Sequence, residues 1–189
     1  MSGGMRPAVV ERLGERIRAA RQELDLSVGA LAEASEVSRR MLTQIELGQA
    51  NPSVAILDRI AAGLGTTFAA LMGVGADDAP DGVEIWSTDS GSWAVLLGAV
   101  DTDALSVETW KWKLVGEDRY EGGSGIALPG IMHHVIEGAL EIDDADGLQV
   151  IEAGGSARIA SPGPYRYRAR DAQAAVFFSV ALLPRPGRG

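Results

Sequence analysis

Arg39 and Arg40 stand side by side in "VSRRMLTQIELG" (residues 37–48), with Thr43 and Gln44 one turn further on. These side chains carry the chemistry needed to read a base edge. An arginine offers two parallel N–H donors to guanine O6 and N7, and a glutamine bonds adenine N6 and N7 in the same bidentate way. Helical spacing lets them act together. Leu42 and Ile45 take the inward side, which leaves Ser38, Arg39, Arg40, Thr43 and Gln44 facing out. Two arginines alone would equally suit an ordinary solvated helix face, so the surrounding elements have to decide.

Those elements read as closely spaced helices. Leu13, Ile17, Ala20 and Leu24 recur at helical spacing and give a first helix one apolar face. Asp25 and Leu26 break it. Ser27 is the expected N-cap of a second helix carrying Leu31 and Ala32. Glu36 and Val37 turn the chain, Ser38 caps the third helix, and Gly48 ends it in a left-handed conformation. Asn51-Pro52-Ser53 is expected to start a fourth helix, with a cap candidate followed by Pro near the first turn. Val54, Leu57, Ile60, Ala61 and Leu64 form its core face. Gly65 stops it, and a short fifth helix is expected over 68–72.

A second chemistry-bearing group lies further along. His133 and His134 are the only histidines. Neighbouring strand residues point to opposite faces, so both cannot hold one ion undistorted. His133 shares the parity of Ile131 and is assigned inside. Tyr165 and Tyr167 share a face of "YRYRAR" (165–170), with Arg166, Arg168 and Arg170 outside, offsetting nearby carboxylates. In "SVETWKWKL" (106–114), Trp110, Trp112 and Leu114 lie on one face, with Thr109, Lys111 and Lys113 on the other. Trp110, Trp112, His133, Tyr165, Tyr167 and Phe178 are the candidate lining of a small-molecule pocket. A plain aromatic core is the competing reading. The period of two also runs through 133–142, 148–155, 157–169 and 174–183, separated by Gly, Pro and Asp, as in a sandwich or barrel.

Charge and composition narrow the options. The chain has 189 residues, 46% of them hydrophobic, enough for two small cored domains. Its net charge is −9, unevenly spread. Residues 1–72 hold 8 Arg and 8 Asp+Glu, whereas 73–189 hold 9 Lys+Arg and 18 Asp+Glu. The acidic part would repel a polyanion, so any DNA surface belongs to the first part. With no cysteine there are no disulfides, thiolate metal sites or thiol catalysis. No apolar run approaches the ~20 residues of a membrane span, and the run at 8–10 is too short for a signal core. A cytoplasmic protein without a membrane partner is expected.

Residues 13–65, "LGERIRAARQELDLSVGALAEASEVSRRMLTQIELGQANPSVAILDRIAAGLG", resemble the Xre-type helix-turn-helix family, which includes phage repressors. The resemblance implies that the third helix is the recognition helix, with Arg39, Arg40, Thr43 and Gln44 toward bases. It places Ser27, Ser38, Gln49 and Asn51 toward the phosphate backbone. It also implies a structural ion pair between Arg21 and Glu46, which keeps that carboxylate off the DNA. One departure weakens backbone affinity: Val28 stands where the family has a phosphate-binding Gln.

Residues 83–185 resemble a cupin, in the pieces 110–122, 129–142, 150–169 and 176–184. The expected fold is therefore two-domain: an all-α, five-helix, lambda-repressor-like domain (11–73), a linker (74–82), and an all-β double-stranded β-helix barrel (83–185). Metal-binding cupins use two His and a Glu in one motif and a His in a second. Those positions fall here near 124–126, at Ile131 and at Tyr165, so no metal and no cofactor is expected.

The leading expectation is a sequence-specific transcription regulator, not an enzyme. Its expected partners are a double-stranded DNA operator, a second copy of itself, and a small-molecule effector in the barrel. Two other classes remain open: a cupin metalloenzyme (isomerase or dioxygenase) with a fused DNA-binding domain, and an antitoxin-like protein-interaction module.

Overall fold

The computed structural model describes residues 5–74, 81–102, 104–123, 130–160 and 163–184. Five helices come first: α1 (Pro7–Glu23), α2 (Val28–Ala34), α3 (Arg39–Glu46), α4 (Val54–Gly63) and α5 (Phe68–Met72). α1 begins four residues ahead of the expected boundary at 11. Pro7 sits in its first turn, where a missing N–H costs nothing, and Val9 and Val10 are buried. Four helix starts are capped through a hydroxyl. Ser27, Ser38, Ser53 and Thr67 accept from the backbone N–H of Ala30, Met41, Ile56 and Ala70. The cap of α4 is therefore Ser53, and the expected start at Asn51 is corrected. Pro52 lies outside the helix, and Asn51 Oδ1 instead accepts from Met5 N at 3.3 Å.

α1 crosses the end of α3 at Gly14. A Cβ there would lie 2.4 Å from Ile45 O, so only glycine permits this approach. The helical core gathers Leu13, Ile17, Leu31, Leu42, Ile45, Leu57 and Ile60.

Ten strands follow: β1 (Val83–Ser87), β2 (Trp93–Asp101), β3 (Leu105–Val115), β4 (Arg119–Gly122), β5 (Gly130–Glu137), β6 (Ala139–Asp144), β7 (Gly147–Glu152), β8 (Ser156–Ile159), β9 (Tyr165–Ala169) and β10 (Ala174–Pro184). They form a six-stranded sheet, β1-β2-β3-β10-β5-β8, and a four-stranded sheet, β4-β9-β6-β7, in a cupin-like arrangement. The pairing is antiparallel throughout the described ladders.

Two runs expected as single strands are each split between sheets. Residues 133–142 break at Gly138, which has φ 72° and no room for a Cβ beside Ala174 O. Residues 157–169 likewise divide into β8 and β9. The strands β1 and β2 have no clear alternation in the sequence. The inner face of β2 is short, with only Ala94 and Leu96 buried, and its apolar run masks the alternation.

Asp118 ties the β3–β4 turn to the β1–β2 hairpin. It accepts hydrogen bonds from Thr88 Oγ1 (2.6 Å), Ser92 Oγ (2.7 Å) and Ser90 Oγ (3.1 Å). Burial opposes ionisation there, but these donors hold the carboxyl below its usual range.

Most of the expected linker, residues 75–80, lies outside the described residues. On either side of it the helices and sheets touch. The Phe68 ring stacks on Trp110 with centroids 6.2 Å apart. Thr67 Oγ1 donates to Asp101 Oδ2 at 3.2 Å, and Arg6 pairs with Glu84 at 2.6 Å.

Trp112 is the centre of the β-domain core. Its ring meets Trp110, Tyr120, Tyr167 and Phe177 at 4.7–5.8 Å, and its Nε1 donates to Ser179 Oγ at 2.9 Å. Trp112→Ala should cost about 3–5 kcal/mol through lost burial and the cavity left behind. Urea denaturation followed by circular dichroism measures that loss.

Candidate functional site

α3 presents a continuous outward face. Arg39, Arg40 and Thr43 are exposed and Gln44 is half-exposed, while Leu42 and Ile45 are buried beneath them. The Arg39 guanidinium lies across Gly29 at the start of α2, 3.1 Å from where a Cβ would sit. Arg39 thus projects toward the α2 N-terminus, while Arg40 extends free of that contact. Thr43 Oγ1 donates to Arg39 O at 2.9 Å, so its hydroxyl proton is already committed within the helix. Ser27 and Ser38 accept from the backbone as caps, and each retains its own O–H to donate outward. Gln49 and Asn51 are exposed on the segment leaving α3.

Behind this face lies the Arg21–Glu46 pair. Arg21 Nε reaches Glu46 Oε1 at 2.6 Å, Nη2 reaches Oε2 at 2.9 Å, and Nη1 donates to Leu26 O at 2.8 Å. The bidentate bond to Glu46 raises the guanidinium pKa. Arg21 thereby joins the end of α1 to the end of α3 and to the turn before α2. Both side chains are largely buried, which keeps the carboxylate from facing outward.

In the β domain, alternation sorts the aromatics. Trp110, Trp112, His133 and Tyr167 are buried inward, Tyr165 is half-buried on the same face, and His134 is exposed. Phe178 is a correction. On β10 it is Phe177 that points inward, at 0% exposure, while Phe178 lies on the outer face with Lys111 Nζ 5.9 Å from its ring. The ladder pairs Ser179 with Trp110 and His133, and its odd-numbered neighbour Phe177 shares that face. His133 Nε2 and the Tyr167 hydroxyl share a hydrogen bond at 2.7 Å. Burial pulls the imidazole down to about 4, so it is neutral at physiological pH. The outward arginines are paired: Arg166 with Glu121 and Asp143, Arg168 with Glu141, and Arg170 with Glu152.

The structure also brings in residues the sequence did not single out. A cavity of about 100 Å³ lies between α4 and the inner β face, lined by Asp58, Glu108, Trp110, Trp112, Tyr120 and Tyr165. A second space of about 320 Å³ lies along α4, again bordered by Asp58 and Glu108. Glu108 shares the parity of Trp110 and Trp112, so alternation alone could have found it. Asp58 had no such signal, because only the placement of α4 over the β domain half-buries it. Burial pushes Asp58 up to about 7. Burial, with the nearby charges of Asp58 and Asp101, pushes Glu108 up to about 8.

These residues do not fit the metal that many cupins hold. His133 is the one imidazole inside, its Nε2 is engaged by Tyr167, and Ile131 and Tyr165 supply no His or carboxylate. Among the described residues, no three His, Cys, Asp or Glu side chains gather as an ion site. Positions 124–126 lie outside the described residues. Also among the described residues, no helix is long and apolar enough to cross a membrane.

Residues 17–71 match the helix-turn-helix family model HTH_3. Over 61 residues the chain is 39% identical to the immunity repressor protein of Bacillus phage phi105, covering 32% of this chain but only 42% of that protein's length. Over 178 residues it is 26% identical to the HTH-type transcriptional regulator SutR of Escherichia coli (strain K12), covering 92% of this chain and 96% of that one. The crystal structure of an HTH_3 family transcriptional regulator from Vibrio cholerae superimposes with a TM-score of 0.65 at 23% identity, over 95% of this chain and 99% of that one. That likeness shows a shared two-part fold. The chain carries an Xre-type helix-turn-helix domain at its N-terminal end, followed by a cupin-like domain.

The two raised carboxyls set a pH dependence. Their unfolded values are near 3.8 and 4.5 and their folded values near 7 and 8, so between these the native chain binds more protons. Stability therefore falls as pH rises through that window. His133 acts with the opposite sign, but only between about 4 and 6.5. From pH ~6.5 to ~8.5 the wild type should lose about 2 kcal/mol, at up to ~1.4 kcal/mol per pH unit for each group. Glu108→Gln with Asp58→Asn should flatten this loss in urea denaturation at the two pH values.

Proposed function

We propose that the protein is a sequence-specific, DNA-binding transcription regulator that acts as a homodimer, with its cupin-like domain serving dimerisation and small-molecule sensing. One observation carries the reading. The outward face of α3 holds Arg39, Arg40, Thr43 and Gln44 on a helix locked from behind by Arg21–Glu46 and flanked by two exposed serine caps. A helix so held enters a major groove without first ordering itself. Arg40 and Gln44 supply bidentate base contacts, and the Thr43 methyl suits a thymine methyl. Ser27, Ser38, Gln49 and Asn51 are assigned to the phosphate backbone, and Arg39, lying toward the α2 N-terminus, can bridge base and phosphate.

One recognition helix covers only a few base pairs. A dimer on a near-palindromic operator follows, its half-sites about one helical turn (~34 Å) or a multiple apart. Met132 and Ile136 on the outer face of β5 leave apolar surface exposed, as does Leu148 on β7, and these faces suit self-association. The charge partition supports the same reading, because the acidic β domain is the part held off the DNA.

Arg39→Ala with Arg40→Ala should weaken binding to an operator selected from random duplexes by about 2–6 kcal/mol, while folding is unchanged. Fluorescence anisotropy across a salt series measures this, and the wild-type affinity should fall as salt rises. Operator binding that survives the double substitution at physiological salt would mean that α3 is not the reading element.

A further inference from the structure

We infer that the cavity between α4 and the inner face of the β domain binds a small protonated amine, held between Glu108 of β3 and Asp58 of α4 with aromatic rings as walls. Glu108 is 2% exposed. Its Oε2 accepts from Trp110 Nε1 at 3.1 Å, but Oε1 is buried without a hydrogen-bond partner. Asp58 Oδ2 is buried and unpartnered in the same cavity. A buried acceptor left unpaired costs free energy comparable to a lost hydrogen bond, and more for a charged group. Two carboxyls from two different domains, each with a buried unpaired oxygen, line one cavity, and a donor that the chain does not provide can pair them. Arg59 borders the outer space, yet among the described ion pairs it is bonded to neither carboxylate.

The chemistry of the walls selects the ligand. Trp110, Trp112, Tyr120 and Tyr165 line the cavity, and aromatic faces attract cations. Unpaired acceptor oxygens need N–H donors, which a primary or secondary ammonium has and a quaternary one lacks. An anion brings no N–H donor to these oxygens and would oppose ionisation of either carboxyl. The inner space of about 100 Å³ accepts the ammonium group, and the adjoining 320 Å³ accepts a short apolar tail. Burial disfavours charge on both carboxyls in the empty site, so a carboxyl that is protonated there releases its proton to solvent when it pairs with the ammonium.

The occupant would touch the helical domain directly through Asp58. α4 packs against α2 and α5, so an amine bridging Asp58 to Glu108 fixes the recognition unit relative to the barrel. The amine site stands apart from the DNA reading, whereas its coupling to operator affinity rests on that reading.

The probe is butylamine, titrated into the full chain at neutral pH. Binding is followed by tryptophan fluorescence, since Trp110 and Trp112 form the walls, and by the shift in Tm. A saturable response is expected for butylamine, none for the neutral isostere 1-butanol, and one weaker by about tenfold for tetramethylammonium. Glu108→Gln and Asp58→Asn should each weaken butylamine by about tenfold or more, with an unliganded Tm at pH 8 no lower than wild type, which shows that the variants fold. A response shared equally by 1-butanol, no saturable response to butylamine, or unchanged affinity in both variants would overturn the amine site. Operator affinity measured with and without butylamine tests the coupling. Unchanged affinity while the amine still binds overturns the coupling alone, and a failure to bind any operator falls on the DNA reading instead.

Discussion

The two halves of this protein are joined by one stack of rings. Phe68 of α5 lies on Trp110, Trp110 on Trp112, and Trp112 on Phe177, with successive centroids 6.2, 5.8 and 5.8 Å apart. The stack begins in the helical core and ends in the centre of the β-domain core. Large aromatic surfaces removed from water supply the main favourable term at this contact. The cavity beneath α4 exists because the stack fixes how closely the helices approach the barrel mouth. Glu108 is buried on the inner face of β3, and Asp58 is half-buried across from it.

The helical domain depends on a smaller set of constraints, all directed at α3. Gly14 lets α1 approach the α3 backbone, and Arg21 then clamps Glu46 and the Leu26 carbonyl together. Ser38 begins the helix and Gly48 ends it in a left-handed turn. Each device acts on the inward side or at an end. The outward side is therefore free of structural duty, apart from Thr43, whose hydroxyl serves the helix itself. A binding surface can change its side chains when the scaffold makes no demand on them.

Polar placement follows the same division in the β domain. Arg166 and Arg170 meet carboxylates in solvent, where each pair contributes little, whereas Arg168 reaches the buried Glu141. Inside, His133 stays neutral against Tyr167, and burial raises the phenols of Tyr120, Tyr165 and Tyr167. Burial thus keeps the ring cluster around His133 and Tyr167 free of charge.

The sequence by itself determined whatever depends on local periodicity and backbone chemistry. The caps at Ser27 and Ser38, the stops at Gly48 and Gly65, the inward Leu42 and Ile45, and the two faces of β3 were all legible, because each follows from spacing within one element. What needs two elements to be compared is not legible there. Asn51 and Ser53 are equal cap candidates until the helix start is placed, and Ser53 provides the cap. Phe177 and Phe178 look alike until the register against β3 and β5 separates them. Alternation over 133–142 does not show that the chain leaves one sheet for another at Gly138. The placement of α4 over the inner β face, with Asp58 and Glu108 lining one cavity, belongs to the folded chain alone. Burial and desolvation belong to pairs of surfaces brought together, and the spacing of residues along one strand or helix does not encode them.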